Sequence, residues 1–312
     1  MKLIRVPAFA KVNLRLDVLG RRADGYHELR TAFQALTLHD DVRLERARGK
    51  AIQLTVAGDA ELAAGPVEKN LVWRALEAVR RELKFSGGVR VELRKRIPVG
   101  RGLGGGSSDA AAAMVALLRL TGRRISLPRL LELASGLGAD VPFFLLGGRA
   151  LGTSRGDEIY PLPDLPRQTV LVVSPTGIAV STRDAYQWVD ERLTMEPSVS
   201  KLWGFCALCW STQGNSLSND FEAAVFERHP RLGKLKRRLL EQGAAEAALA
   251  GSGSAVFGVF RNPAQARRAA KKFPEDQVFL CMTISRAAYT RALWGAGGFR
   301  RANAELGERT IG

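Results

Sequence analysis

Residues 98 to 109 read Pro-Val-Gly-Arg-Gly-Leu-Gly-Gly-Gly-Ser-Ser-Asp, with glycine at 100, 102, 104, 105 and 106. Glycines that take positive φ let a backbone approach a ligand closely. Before them, Val89, Val91 and Leu93 alternate with charged residues, the pattern of a half-buried strand. After them, Ala110 to Leu118 is built of strong helix formers. Strand, glycine loop and helix together aim unpaired backbone N–H groups at an anion. Ser107, Ser108 and Asp109 are each suited to cap that helix. A flexible linker is also glycine-rich, but it is rarely framed by such a strand and helix.

Three well-known glycine loops do not fit. A Walker A loop ends in Gly-Lys-Ser/Thr, whereas Ser107 follows Gly106 here. Gly100, Gly102 and Gly105 satisfy the spacing of a dinucleotide fingerprint, but residues 121 to 128 hold no second strand ending in an acid. The His-Arg-Asp and Asp-Phe-Gly elements of protein kinases are missing. The loop does resemble the phosphate-binding motif of the GHMP small-molecule kinases, Pro-x-x-x-Gly-Leu-Gly-Ser/Gly-Ser-Ser-x-Ala. Pro98, Gly102, Leu103, Gly104, Gly105, Gly106, Ser107, Ser108 and Ala110 carry the match. The resemblance implies that residues 98 to 108, Val99, Gly100 and Arg101 included, border ATP. One departure is Arg101, where the family usually has Ala, Gly or Ser. That guanidinium could add a phosphate contact, point to solvent, or crowd the nucleotide.

Other residues acquire meaning from the same resemblance. Lys11 stands in Pro7-Ala-Phe-Ala-Lys-Val-Asn-Leu14, with Asn13 on the same face if the run is extended. A lone lysine in a strand is ordinarily solvated, but this string is similar to the first GHMP motif. Asp24-Gly25 signals a turn, and Tyr26 and His27 follow it. On physics alone this is a surface turn covered by an aromatic. Arg22 to Leu29, however, resembles a segment of the GHMP branch that phosphorylates a cytidine-diphosphate-linked sugar alcohol at its 2-hydroxyl, where the Tyr-His pair holds the cytosine. Galactose, homoserine and mevalonate kinases do not carry it. Leu137 to Phe144 resembles the segment bearing the catalytic aspartate, here Asp140, which on general grounds is as readily a helix cap. Asn70 falls at the family's adenine side, though an asparagine at a helix start is usually a cap. Thr182 and Tyr186 fall where the family borders the cytidine. The resemblance thus implies Lys11 and Asp140 as catalytic residues, Asn13, Tyr26, His27, Asp140, Thr182 and Tyr186 as acceptor contacts, and ATP with Mg²⁺ as cofactors.

The elements that position these residues read as strands over Thr31–Leu38 and Asp41–Leu54, with turns at His39-Asp40-Asp41 and Gly49-Lys50. The His39 cluster reads as a polar turn rather than a metal site, and no side-chain metal site is expected. Glu68 to Val79 and Leu127 to Ala134 read as helices. Pro161-Leu-Pro-Asp-Leu-Pro166 marks a boundary between residues 1–160 and 161–312. Thr169 to Ser174 reads as a strand buried on both faces, Asn219 starts a long helix, and Gly251-Ser-Gly253 turns between two apolar runs. Ala248 to Gly258 resembles the third GHMP motif. The fold implied is α+β in two parts, an N-terminal ribosomal-protein-S5-like α/β domain and a C-terminal ferredoxin-like α+β domain. The last ~25 residues stay unassigned and are compatible with disorder.

The chain has 312 residues and a net charge of +16, from 47 basic and 31 acidic residues. The basic residues are dispersed and do not alternate with aromatics, so a specific nucleic-acid role is not expected. No apolar run approaches the ~18 residues of a membrane span, and the N-terminus turns polar too early for a signal peptide. Three cysteines form no disulfide framework, and Cys206-Ala-Leu-Cys209 reads as packing. A cytoplasmic enzyme acting on small molecules, monomeric or homodimeric, is expected.

Overall fold

The computed structural model describes residues 2–192 and 217–295. Two long antiparallel strands, β1 (Leu3–Arg21) and β2 (His27–Ala47), carry the first unit. The turn between them uses Gly25 at φ +85°, a conformation that favours glycine. Register shifts between Phe9 and Lys11 and between Asn13 and Arg15 bend β1 where its polar residues stand. The far edge of β2 takes β4 (Gly88–Arg94), which pairs in parallel with β3 (Ile52–Ala57). The rest of that edge takes β5 (Arg149–Thr153), itself paired with β6 (Glu158–Pro161).

β2 runs unbroken through His39, Asp40 and Asp41, where the sequence predicts a turn. The reason is that Asp40, fully buried, finds partners in Lys95 and two backbone N–H groups. One face of the sheet packs α2 (Leu71–Glu82), α3 (Gly105–Thr121), α4 (Leu127–Leu137) and α5 (Val141–Leu146); the short α1 (Ala60–Ala64) precedes them. α3 is buried continuously from Ser108 to Leu118, so it is a core helix with no solvent stripe.

The second unit orders β7 (Thr169–Ser174), β9 (Glu246–Leu249), β10 (Val256–Phe260) and β11 (Gln277–Met282) as β11-β7-β10-β9, all antiparallel. A two-residue strand, β8 (Ser218–Asn219), leaves this unit to pair with β1. The helices are α6 (Thr182–Asp190), α7 (Phe221–Arg228), α8 (Pro230–Glu241) and α9 (Pro263–Ala270). This β-α-β-β-α-β order with that pairing is ferredoxin-like. Leu171 and Val173 of β7 face the helices, while Val170 and Val172 face a middle layer against the first sheet. The long helix expected from Asn219 is two helices, α7 and α8, because Pro230 disfavours helical geometry at His229, which sits at φ −129°.

The unassigned C-terminal stretch contains α10 (Arg286–Trp294), which buries Tyr289, Leu293 and Trp294 in the core of the first unit. Ser285 caps it, accepting from Ala288 N. Cys206, Cys209 and residues 296–312 lie outside the described residues. Among the described residues no helix is long and apolar enough to cross a membrane.

Candidate active site

The glycine loop joins β4 to α3. Gly100, Gly102 and Gly104 sit at φ +67°, +77° and +71°. A Cβ on Gly102 would lie 1.8 Å from the Ala250 carbonyl oxygen, and one on Gly104 would lie 2.7 Å from the Phe144 ring. The loop is therefore wedged between the two units. Leu103 O accepts the Lys11 N–H at 3.0 Å, and Arg101 O accepts the Ala255 N–H at 3.2 Å. Arg101 Nη1 donates to Ser254 Oγ at 2.8 Å, and that hydroxyl donates to Ile178 O. The guanidinium thus clips the loop to the second unit.

α3 begins at Gly105 with Gly104 as its N-cap, so none of Ser107, Ser108 and Asp109 caps it, contrary to the sequence expectation. Left-handed Gly104 feeds the chain straight into the helix, and the first-turn N–H groups stay free of a side-chain cap. Ser108 is buried with its Oγ unpartnered, and it alone of residues 98 to 108 does not line the cavity in front of the loop.

That cavity, about 1080 Å³, lies between the units. Lys11 Nζ enters it from the bend of β1, donating to Asn13 Oδ1 at 2.8 Å and standing 3.4 Å from Asp140 Oδ2. Asn13 Nδ2 donates to Thr31 Oγ1 at 2.6 Å, and Thr31 Oγ1 donates to Arg15 O. Lys11 also lies 5.5 Å from the centre of the Phe33 ring. Asp140 occupies the cap position of α5 but makes no cap hydrogen bond; its carboxylate is turned to the lysine.

Farther along the same cavity is an aromatic pocket. His27 stacks on Tyr186, with ring centres 4.5 Å apart and planes at 18°. Tyr186 rests edge-on against Phe221, and His27 Nε2 is 2.5 Å from Asp190 Oδ1. Burial, and secondarily the Asp140 carboxylate, push the Tyr186 phenol above its usual range, so the hydroxyl stays protonated at neutral pH. Tyr26 leaves 57% of its surface exposed, with the Arg155 guanidinium 5.0 Å from its ring centre. Thr182 Oγ1 pairs with Ser252 Oγ at 3.2 Å. Asn70 both caps α2, accepting from Val72 N at 2.9 Å, and lines the cavity near the loop.

Family models for the GHMP kinases N terminal domain and the GHMP kinases C terminal region match residues 70–148 and 202–277. A 4-diphosphocytidyl-2-C-methyl-D-erythritol kinase from Solibacter usitatus is 46% identical over 92% of this chain and 90% of its own. One from Geobacter sp. strain M21 is 41% identical over 91% and 99%. A crystal structure of 4-(cytidine 5'-diphospho)-2C-methyl-D-erythritol kinase superposes with a TM-score of 0.73 at 35% identity, covering 90% of this chain and 99% of that one. The chain belongs to the 4-diphosphocytidyl-2-C-methyl-D-erythritol kinase family of GHMP kinases. A homoserine kinase from Cytophaga hutchinsonii shares the fold, with a TM-score of 0.66 at 21% identity.

This GHMP kinase brings Lys11, Asn13, Tyr26, His27, Asn70, Asp140, Thr182 and Tyr186 to one cavity with the glycine loop. Sequence reasoning missed Thr31, Phe33, Arg155, Arg183 and Asp190, which line it too. Thr31 and Phe33 had a signal, being two residues apart on β2 and so on one strand face. Asp190 had none, since only the folded chain sets it against His27.

Proposed function

We propose that this kinase transfers the γ-phosphoryl group of ATP to the 2-hydroxyl of 4-(cytidine 5'-diphospho)-2-C-methyl-D-erythritol, a step of the non-mevalonate (methylerythritol phosphate) route to isoprenoid precursors. The observation that carries this reading is the shared cavity: the Tyr26, His27 and Tyr186 rings open onto the same space as the glycine loop and the Lys11–Asp140 pair.

In this reading the N–H groups of the loop and of the first turn of α3 hold the phosphate chain, helped by the partial positive charge of the helix end. Tyr26 and the His27–Tyr186 stack hold the cytosine and so align the distant alcohol. Asp140 accepts the proton of the 2-hydroxyl as its oxygen bonds to the γ-phosphorus; the bond from that phosphorus to the β–γ bridging oxygen breaks, and the electron pair leaves with ADP. Lys11, 3.4 Å from Asp140 Oδ2, holds that carboxylate in place and faces the charge developing on the transferred group.

Asp140 and Ser107 offer hard oxygen donors on the cavity wall, and this donor set fits Mg²⁺ bound mainly through phosphates. Asp140 and the Ser107 hydroxyl would hold the ion, which would supply charge neutralisation on the phosphate oxygens.

The test is an ADP-release assay with Mg-ATP and, in turn, the cytidyl alcohol, homoserine and mevalonate. Turnover with the cytidyl alcohol alone is expected. Turnover only with homoserine or mevalonate refutes the acceptor; no ADP with any of them refutes the reading.

A further inference from the structure

Beneath the glycine loop lies a buried ionic cluster to which the mechanism above gives no task. Lys95 Nζ donates to Asp40 Oδ2 at 2.5 Å and to Asp109 Oδ2 at 2.7 Å. Asp40 Oδ1 accepts the Ile97 N–H at 2.8 Å and also the Arg96 N–H. The three side chains are between 0% and 3% exposed. One end of the cluster therefore grips residues 95 to 97, immediately before Pro98. The other end grips Asp109, in the first turn of α3. A Cβ on Gly105 would come within 3.2 Å of Lys95 Nζ, so the ammonium stands directly under the first residue of that helix.

Stability explains such a cluster poorly. Buried ions cost heavily to desolvate, and apolar groups of similar volume often stabilise a core as well or better. The trio instead supplies direction, through charge-assisted hydrogen bonds of fixed geometry.

We propose that Asp40, acting through Lys95 and Asp109, is a positioning residue that fixes both ends of the glycine loop and thereby sets how the loop meets the donor's phosphate chain. This rests on the loop being the ATP site. Lys95 and Asp109 line the cavity and could touch a nucleotide directly, whereas Asp40 does not line it and can act only through them.

Asp40→Asn tests the idea. The carboxylate accepts at both oxygens, and an amide accepts at only one, so either Lys95 or the Arg96 and Ile97 N–H groups lose their acceptor. The readouts are KM for ATP, KM for the cytidyl alcohol, kcat, and competition by inorganic tripolyphosphate, which has no base. KM for ATP and the tripolyphosphate inhibition constant should rise by the same factor, roughly tenfold or more, with the alcohol's KM within about twofold of wild type. Asp109→Ala leaves a charge-balanced Asp40–Lys95 pair, so it stays testable where Asp40→Asn does not fold; it should show the same paired rise. Asp109→Asn, which still accepts from Lys95, should restore near-normal values. An unchanged tripolyphosphate constant in the folded variants overturns the proposal, and a rise for ATP alone would mean a contact to the base. Equal rises for both substrates also overturn it. Wild-type enzyme that neither releases ADP nor binds tripolyphosphate sinks the ATP reading instead.

Discussion

Asp140→Asn exchanges one oxygen for an amino group and preserves size and shape, so it separates chemistry from folding. The carboxylate lies 3.4 Å from Lys11 Nζ, which at an effective dielectric of ~20 is worth about 5 kcal/mol before solvation is counted. Asp140 keeps 32% of its side chain in solvent, whereas Lys11 keeps 5%. Screening on the carboxylate side reduces the net contribution to about 1–2 kcal/mol, and the amide oxygen can still accept from Lys11. The melting temperature should therefore fall by only a few degrees, at roughly 2–4 °C per kcal/mol for a chain of this size class. The chemical loss is larger, because an amide cannot take the proton of an alcohol. General-base catalysis supplies ~10²–10⁴-fold, so kcat should fall at least ~100-fold. ADP release gives kcat, calorimetry gives the affinities for ATP and the cytidyl alcohol, and a thermal melt checks the fold. A folded variant with kcat within about tenfold of wild type would refute the assignment of Asp140 as the base.

Tyr26→Ala should raise KM for the cytidyl alcohol, by the ~1–3 kcal/mol that a base gains on an aromatic ring, and leave KM for ATP unchanged; an ATP-only defect would place the base elsewhere. Gly102→Ala meets both a backbone oxygen 1.8 Å from its new Cβ and a φ of +77°. It should lose ~1–3 kcal/mol of stability, read as a lower urea midpoint, and an unchanged midpoint would show that the loop does not wedge against Ala250. Asp109, facing Lys95 and Asp40, binds its proton up to about pH 8 when folded and only to its ordinary value of 3.8 when unfolded. Between those values the folded chain holds the extra proton, so stability falls as pH rises, by up to ~1.4 kcal/mol per unit. Urea melts at pH 5 and pH 8 should show this slope in wild type and lose it in Asp109→Asn; equal slopes would refute the assignment.

The local chemistry of the site was legible because it rests on short runs with fixed geometry. The glycine loop between strand and helix needs only adjacent residues, and the shared face of Lys11 and Asn13 follows from the alternation of a strand. Long-range partners were not legible. Asp40 looks like turn punctuation in sequence, and only Lys95, 55 residues away, makes it a strand residue. The serines after the loop look like caps, but a left-handed glycine starts the helix before them. The helix ending at Trp294 was hidden by the glycines that follow it, although Ser285 three residues before Ala288 is a cap signal. Arg101 reads as a departure from its motif, and only the folded chain supplies Ser254 as its hydrogen-bond partner.

The attachment of α10 bears on the order in which the enzyme becomes able to work. Tyr289 Oη donates to Phe144 O at 2.7 Å and Trp294 Nε1 to Leu145 O at 3.1 Å. These are carbonyls at the end of the short helix whose other end presents Asp140. A nascent chain that has released every residue of the glycine loop and the proposed base still lacks two of the groups that hold that helix in place. During synthesis, at ~5–20 residues per second, the site stays unfinished for roughly ten seconds or more after Asp140 emerges. Turnover therefore reports synthesis through α10, and a chain truncated before Tyr289 carries the proposed catalytic pair without two of the hydrogen bonds that hold the helix of its aspartate.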